Sequence, residues 1–212
     1  MSQEQRFALD IETIPTCDNP DFGDPSNWSP FAVVLAHEWG DTADVSVLFR
    51  NGDSLESEAR LYTRSLNWVA TRLAAESVGI LTYNGAEYDL PILRHRCETL
   101  DRELGTSLFE RLESLEQRAE HIDLLQMVIA HQGHRMSIDD VLAMLMIDYD
   151  VPRWPDGRKV SGEDMLDIGP RIIAQDIDPD VLNAARRYAT SDVAPLFDVY
   201  DALLRRRGIV ED

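Results

Sequence analysis

The chain opens on a short alternation of apolar and polar positions. Phe7, Leu9 and Ile11 fall on one side of an extended segment, and Ala8, Asp10 and Glu12 on the other. A period of two predicts a strand over Phe7–Ile14, ended by Pro15 and the Asp/Pro-rich stretch to Pro30. Phe31–Trp39 and Val45–Phe49 read as two more strands, joined by Gly40-Asp41 and closed by Asn51-Gly52 turn chemistry. From Leu55 the period lengthens: Tyr62, Leu66, Val69 and Leu73 form one stripe, which predicts a helix to about Glu76. Val78–Thr82 is a short apolar run followed by Asn84-Gly85. A helix is expected from Asp89 or Leu90, where Pro91 fits the first turn because no N–H is needed there.

Beyond this point the signals mix. Asp101–Arg118 is charged and helical, and His121–Leu125 reads as a strand. Ser137-Ile-Asp-Asp140 resembles a capping box, with Asp in place of Glu or Gln, opening a helix through Met146. Val151–Gly162 is rich in Pro and Gly, is expected to be the most mobile segment, and contains Lys159. A last long helix is predicted over Pro179–Arg207, kinked by Pro195 and stopped by Gly208. The sum is an α/β domain with helices flanking a mixed five-stranded sheet. A three-stranded antiparallel meander lies beside two strands added in parallel through helical crossovers. At 212 residues, one domain covering the whole chain, 1–212, is expected.

Charge changes the picture. The formal net charge is −19, and Lys159 is the only lysine among the basic residues. Such a surface repels itself except where salt is concentrated enough to screen it, which points to a halophilic, salt-rich cytoplasm. An acidic protein from a high-GC organism would show the same preference for arginine over lysine. The acidity argues against a plain nucleic-acid-binding module, which needs a positive footprint. It weighs less against an enzyme whose bound cations supply the local positive charge. No apolar run reaches signal-peptide or membrane-span length, so a cytoplasmic protein with no membrane partner is expected. Cys17 and Cys97 form no CxxC pair and suggest neither a zinc ribbon nor a disulfide framework.

The acids within apolar segments carry the chemistry. Asp10 and Glu12 project from one face of a strand and can share a cation. Tyr188 and Asp192 are one helical turn apart and share a face. Asp89 sits at a loop-to-helix junction, where an N-cap is the plainer use of an aspartate. Asp176-x-Asp178-x-Asp180 fails as a calcium loop because Val181 replaces the required glycine and Arg187 the final glutamate. His131 and His134 have no evident third ligand nearby.

Taken in order, Asp10-Ile-Glu-Thr, Tyr83-Asn-Gly-Ala-Glu-Tyr-Asp89-Leu-Pro-Ile-Leu and Tyr188-Ala-Thr-Ser-Asp192 resemble the DEDDy-type 3′–5′ exonucleases of the RNase H-like superfamily. The likeness runs over roughly residues 6 to 204 and is strongest to the proofreading domain of family-B DNA polymerases. His121-Ile-Asp123-Leu and Ser137-Ile-Asp-Asp-Val-Leu look like that group's linking segments. The resemblance implies an RNase H-like fold and a two-metal hydrolysis of DNA or RNA from a free 3′ end, releasing nucleoside 5′-monophosphates. It assigns Asp10, Glu12, Asp89 and Asp192 to two Mg²⁺ or Mn²⁺ ions and Tyr188 to the attacking water. Asn84, Thr13, Ile14 and Lys159 would meet a single-stranded or 3′-ended nucleic acid, with Arg186 and Arg187 as phosphate candidates. No polymerase-sized segment follows, so proofreading in cis is not expected. The alternatives are an RNase H-like endonuclease, or a non-catalytic nucleic-acid- or partner-binding module on the same fold.

Overall fold

A computed structural model describes residues 5–40, 42–74 and 78–206. β1 (Gln5–Pro15), β2 (Trp28–Trp39) and β3 (Thr42–Phe49) form the antiparallel meander. β4 (Val78–Thr82) adds in parallel to β1, and β5 (Glu120–Asp123) in parallel to β4. The resulting order, β3-β2-β1-β4-β5, is the mixed five-stranded sheet the periodicity predicts, and it places β1 at the centre.

Alternation along β1 and β2 divides the core. Leu9, Ile11, Val33 and Leu35 meet α1 (Leu55–Ala70), α2 (Asp89–Leu104) and α3 (Leu108–Glu116). Ala8, Val34 and Ala36 meet α4 (Leu124–Gln132), α5 (Ile138–Leu145) and α8 (Leu196–Arg206). Phe31 and Ala32 pack with α6 (Gly162–Ala174) and α7 (Pro179–Val193). An ionic knot fixes the first layer. The Arg96 guanidinium on α2 donates Nε and Nη2 to the two oxygens of the fully buried Glu58 on α1, each at 2.7 Å. Arg50 stands 3.4 Å from the same carboxylate and donates to Ser29 Oγ. Breaking such a pair would leave a buried charge uncompensated.

Several predicted elements differ in extent. The charged helix of Asp101–Arg118 is two helices, because Gly105 adopts φ 66° and Asp101 then caps α3 by accepting from the Leu108 and Phe109 amides. The strand predicted over His121–Leu125 ends at Asp123, which turns from strand residue to N-cap of α4 by accepting from the Leu125 amide. The final helix is broken rather than kinked: α7 stops at Val193 and α8 restarts at Leu196, after Pro195. α1 ends at Ala70 with Thr71 as its C-cap, so the helix expected to about Glu76 stops short: residues 71–74 are turn and irregular chain, while Glu76 itself, Asp41 of the predicted turn and Gly208 as helix stop lie outside the described residues. Neither α4 nor α6 was expected. α4 hides because it begins within the apolar run that follows β5, and α6 because Gly162, Gly169 and Pro170 read as loop residues.

Gly169 is where α6 crosses the sheet. A Cβ there would come within 2.5 Å of Ile14 Cγ2 and 2.9 Å of Phe31 Cδ1. Gly169→Ala is expected to destabilise the fold by about 1–3 kcal/mol through overpacking, read as a lower urea midpoint at unchanged slope. An unchanged midpoint would mean α6 shifts freely against β1.

Candidate functional site

β1 carries its acids into the middle of the sheet. Asp10 lies opposite Val34 and Glu12 opposite Ala32, on the face away from Leu9 and Ile11. The β1–β2 register slips between Glu12 and Thr13, an irregularity of the kind that re-aims neighbouring side chains. β1 runs parallel to β4, so both strands end toward the site, at the point where the sheet changes from antiparallel to parallel pairing.

α7 lays Asp192 over this face. One carboxylate oxygen from each of Asp10, Glu12 and Asp192 lies within 4.8 Å of the others. Such closeness is unfavourable without a cation. Burial pushes Asp10 from 3.8 up to about 7. Burial first, then repulsion from neighbouring acids, holds Glu12 and Asp192 well above the usual carboxylate range. Glu12 Oε1 is buried and has no hydrogen-bond partner among the described residues. Buried acceptors are normally satisfied, and hard oxygen donors in a cluster suit Mg²⁺ or Mn²⁺. The three residues therefore fit a divalent cation.

Asp89, the first residue of α2, is 3% exposed and falls outside that group of three. Its carboxyl is raised by burial and then by Asp10 and Asp123, with the Ile11 amide opposing. Tyr188 is one turn before Asp192 on α7. Burial, then Asp192, Glu12 and Asp10, push its phenol upward, so the hydroxyl stays protonated. That hydroxyl faces the start of α6, 3.6 Å from where a Cβ on Gly162 would sit.

The residues expected to meet substrate are already engaged within the fold. Thr13 and Tyr88 share a hydrogen bond between hydroxyls at 2.8 Å. Ile14 packs against Gly169. Asn84 adopts φ 70°, and its Oδ1 accepts from Arg135 Nη2 at 2.7 Å. Lys159 pairs with Asp139, whose other oxygen accepts from the Tyr149 hydroxyl at 2.7 Å. Arg186 donates to the Val47 carbonyl at 3.0 Å and lies over the Phe49 ring, while Arg187 donates to the Arg153 carbonyl. Arginines suggested as phosphate receptors thus fasten α7 to its surroundings.

Sequence reasoning singled out no role for Asp123, Arg135 or Asp139. Asp139 bears on both Asp192 and Tyr188. The available signals were an aspartate within a predicted strand at Asp123 and an acidic first turn at Asp139; neither distinguishes a cap from a site.

The raised carboxyls have a thermodynamic sign. A group that binds its proton more tightly when folded makes stability fall as pH rises from its unfolded to its folded pKa. In EDTA, the stability of the native chain relative to Asp10→Asn is expected to fall between about pH 4 and pH 7, since Asp10 moves from 3.8 to about 7. Each unit of separation corresponds to about 1.4 kcal/mol. Urea melts of both proteins across that range, repeated with Mn²⁺, measure it; parallel stability curves in EDTA would contradict the burial of an unpaired acid.

Comparison with known proteins places the fold. The profile of the RNase_H superfamily matches residues 30–204. No curated protein sequence matches the chain. Among solved structures, exonuclease I in complex with inhibitor BCBP is similar at 13% identity and TM-score 0.49, over 99% of this chain and 43% of that one. Exonuclease I from Methylocaldum szegediense is similar at 15% identity and TM-score 0.43, over 96% and 40%. E. coli exonuclease I in complex with a 5cy-dT13 oligonucleotide is similar at 12% identity and TM-score 0.42, over 97% and 41%. The chain thus spans less than half the length of these proteins. No helix among the described residues is long and apolar enough to cross a membrane. With the superfamily profile covering most of its length, the chain belongs to the RNase_H superfamily.

Proposed function

We propose that the chain is a metal-dependent 3′–5′ exonuclease that hydrolyses DNA or RNA from a free 3′ end and releases nucleoside 5′-monophosphates. The observation that carries this reading is the convergence of Asp10, Glu12 and Asp192, with Glu12 Oε1 buried and unpartnered among the described residues. Tyr188 adjoins the group on α7, in the DEDDy manner.

Asp10, Glu12 and Asp192 would hold Mg²⁺ or Mn²⁺, with Asp89 supporting a second ion. Bound there, divalent cations supply Lewis-acid stabilisation of charge on the attacking and leaving oxygens. The chain's own residues do the positioning. Tyr188 stays neutral and can both donate and accept, so it orients the attacking water without taking its proton. Thr13 and Ile14, just past the register slip in β1, border the space for a terminal nucleotide. Asn84 and Lys159 approach from the loops after β4 and before α6. Lys159 is bound to Asp139, so it reaches a phosphate only by exchanging that partner. The large negative charge disfavours nucleic acid at low ionic strength, and a salt-rich host cytoplasm relieves that repulsion.

The test is a 5′-labelled single strand, in DNA and RNA versions, with Mn²⁺ or EDTA, at low salt and in molar KCl. A metal-dependent ladder shortening from the 3′ end is expected. Asp10→Ala and Asp192→Ala should each lower the rate by at least ~10²-fold while remaining folded. Tyr188→Phe should lower kcat by roughly 10²-fold and leave Mn²⁺ binding unchanged. Near-normal cleavage by either alanine variant would remove the site assignment; internal cuts in a circular strand would turn the reading toward an endonuclease.

A further inference from the structure

Asp123 ends β5 and is buried, yet it lies outside the cluster that fits a metal. Three amides converge on it. Oδ1 accepts from the Asn84 and Leu125 amides and Oδ2 from the Ala86 amide, each at 3.0 Å. Only the Leu125 bond is an ordinary helix cap. The other two reach across to the turn that leaves β4, which Asp123 adjoins because it pairs with Thr82 in the parallel register.

That turn is tight and uses backbone that residues other than glycine rarely adopt. Asn84 is one of three non-glycine residues with positive φ among the described residues, at 70°. A Cβ at Gly85 would come within 2.6 Å of three Thr82 side-chain atoms. Strained backbone persists where its surroundings over-determine it. The same turn then sets the start of α2. The Asn84 carbonyl accepts from the Tyr88 amide, and the Gly85 carbonyl accepts from the Leu90 amide at 2.9 Å. Tyr88 and Leu90 flank Asp89. A continuous chain of bonds therefore runs from the Asp123 carboxylate, through two amides and two carbonyls of one turn, to both neighbours of Asp89.

We propose that Asp123 is a positioning residue for Asp89: it fixes the Asn84–Ala86 turn and so aims the Asp89 carboxylate at the second cation. This rests on the exonuclease reading for its effect on turnover, and on the Asp89 assignment for its effect on metal binding. Asp123 touches neither substrate nor reacting atoms. Its deletion leaves the Asn84 and Ala86 amides without their acceptor, and Asp89 loses its fixed launch point.

The experiment is a double-mutant cycle with an independent metal readout. Asp123→Ala is expected to lower kcat at least tenfold with KM little changed, and Asp89→Asn more strongly. In the double variant, adding Asp123→Ala to Asp89→Asn should lower kcat less than twofold further. Val128→Ala, which truncates a fully buried side chain on α4, supplies a purely structural loss and should multiply with Asp89→Asn. If Asp123→Ala does not fold, Asp123→Asn retains one acceptor oxygen and should give a smaller kcat loss with the same non-additivity. Mn²⁺ titration followed by electron paramagnetic resonance reads the proposal without turnover: Asp123→Ala should weaken the second Mn²⁺ at least tenfold, as Asp89→Asn does. Losses that multiply, or a folded Asp123→Ala protein with both Mn²⁺ affinities unchanged, would overturn the proposal. A wild-type protein that binds two Mn²⁺ but cleaves nothing would instead overturn the exonuclease reading, and the titration would still decide Asp123.

Discussion

Negative charge confined in a low-dielectric place is the constraint on which the rest of this structure depends. Asp10 and Glu12 project from one face of the central strand, Asp192 closes on them from α7, and Asp89 on α2 bears on Asp10. Among the charged groups that act on Asp192, the nearby cation is Lys159, and it is shared with Asp139. A fold that only had to be stable would replace such acids with apolar side chains of like volume. Their presence places an unmet electrostatic demand beside the central strand, and a divalent cation is the simplest way to meet it.

The surrounding architecture holds that demand in place. The four acids arrive on three elements, Asp10 and Glu12 on β1, Asp89 on α2 and Asp192 on α7, and each element is tied down separately. β1 is paired with β2 through Asp10 and Glu12 and with β4 over Gln5–Ala8. α2 is anchored through Arg96 to the buried Glu58, and its first turn by the bonds that spread from Asp123. α7 is fastened through Arg186 and Arg187 to the backbone of Val47 and Arg153. Burial first, and repulsion among the carboxylates after it, therefore raise their proton affinity instead of moving them apart.

How much of this was legible in the chain follows from how local each signal is. Strands β1 to β4 were readable because the period-two alternation and the turn residues Asn51-Gly52 and Asn84-Gly85 are local properties. Helix ends were not, where a left-handed glycine at Gly105 or the missing N–H of Pro195 divided a continuous pattern. α6 escaped because Gly169 looks like a helix breaker until the helix is seen crossing Ile14 and Phe31. In the site, Asp10 and Glu12 were legible as acids inside an apolar strand, whereas Asp192 was legible only through its spacing from Tyr188 and the family resemblance. The Lys159–Asp139 pair was not legible, because one ion pair across a loop leaves no periodic trace. Arg186 and Arg187 were read by charge, and the backbone carbonyls of Val47 and Arg153 that they reach leave no trace in the sequence.

Arg186 has one more consequence. β3 is an outer strand of the sheet, and such strands expose backbone groups that invite pairing with another chain. The Arg186 guanidinium occupies the Val47 carbonyl and covers the Phe49 ring. The helix that presents Asp192 on one side thus shields a sheet margin with the other. A change that loosened α7 would expose a template for aggregation at the same moment that it dismantled the acidic cluster.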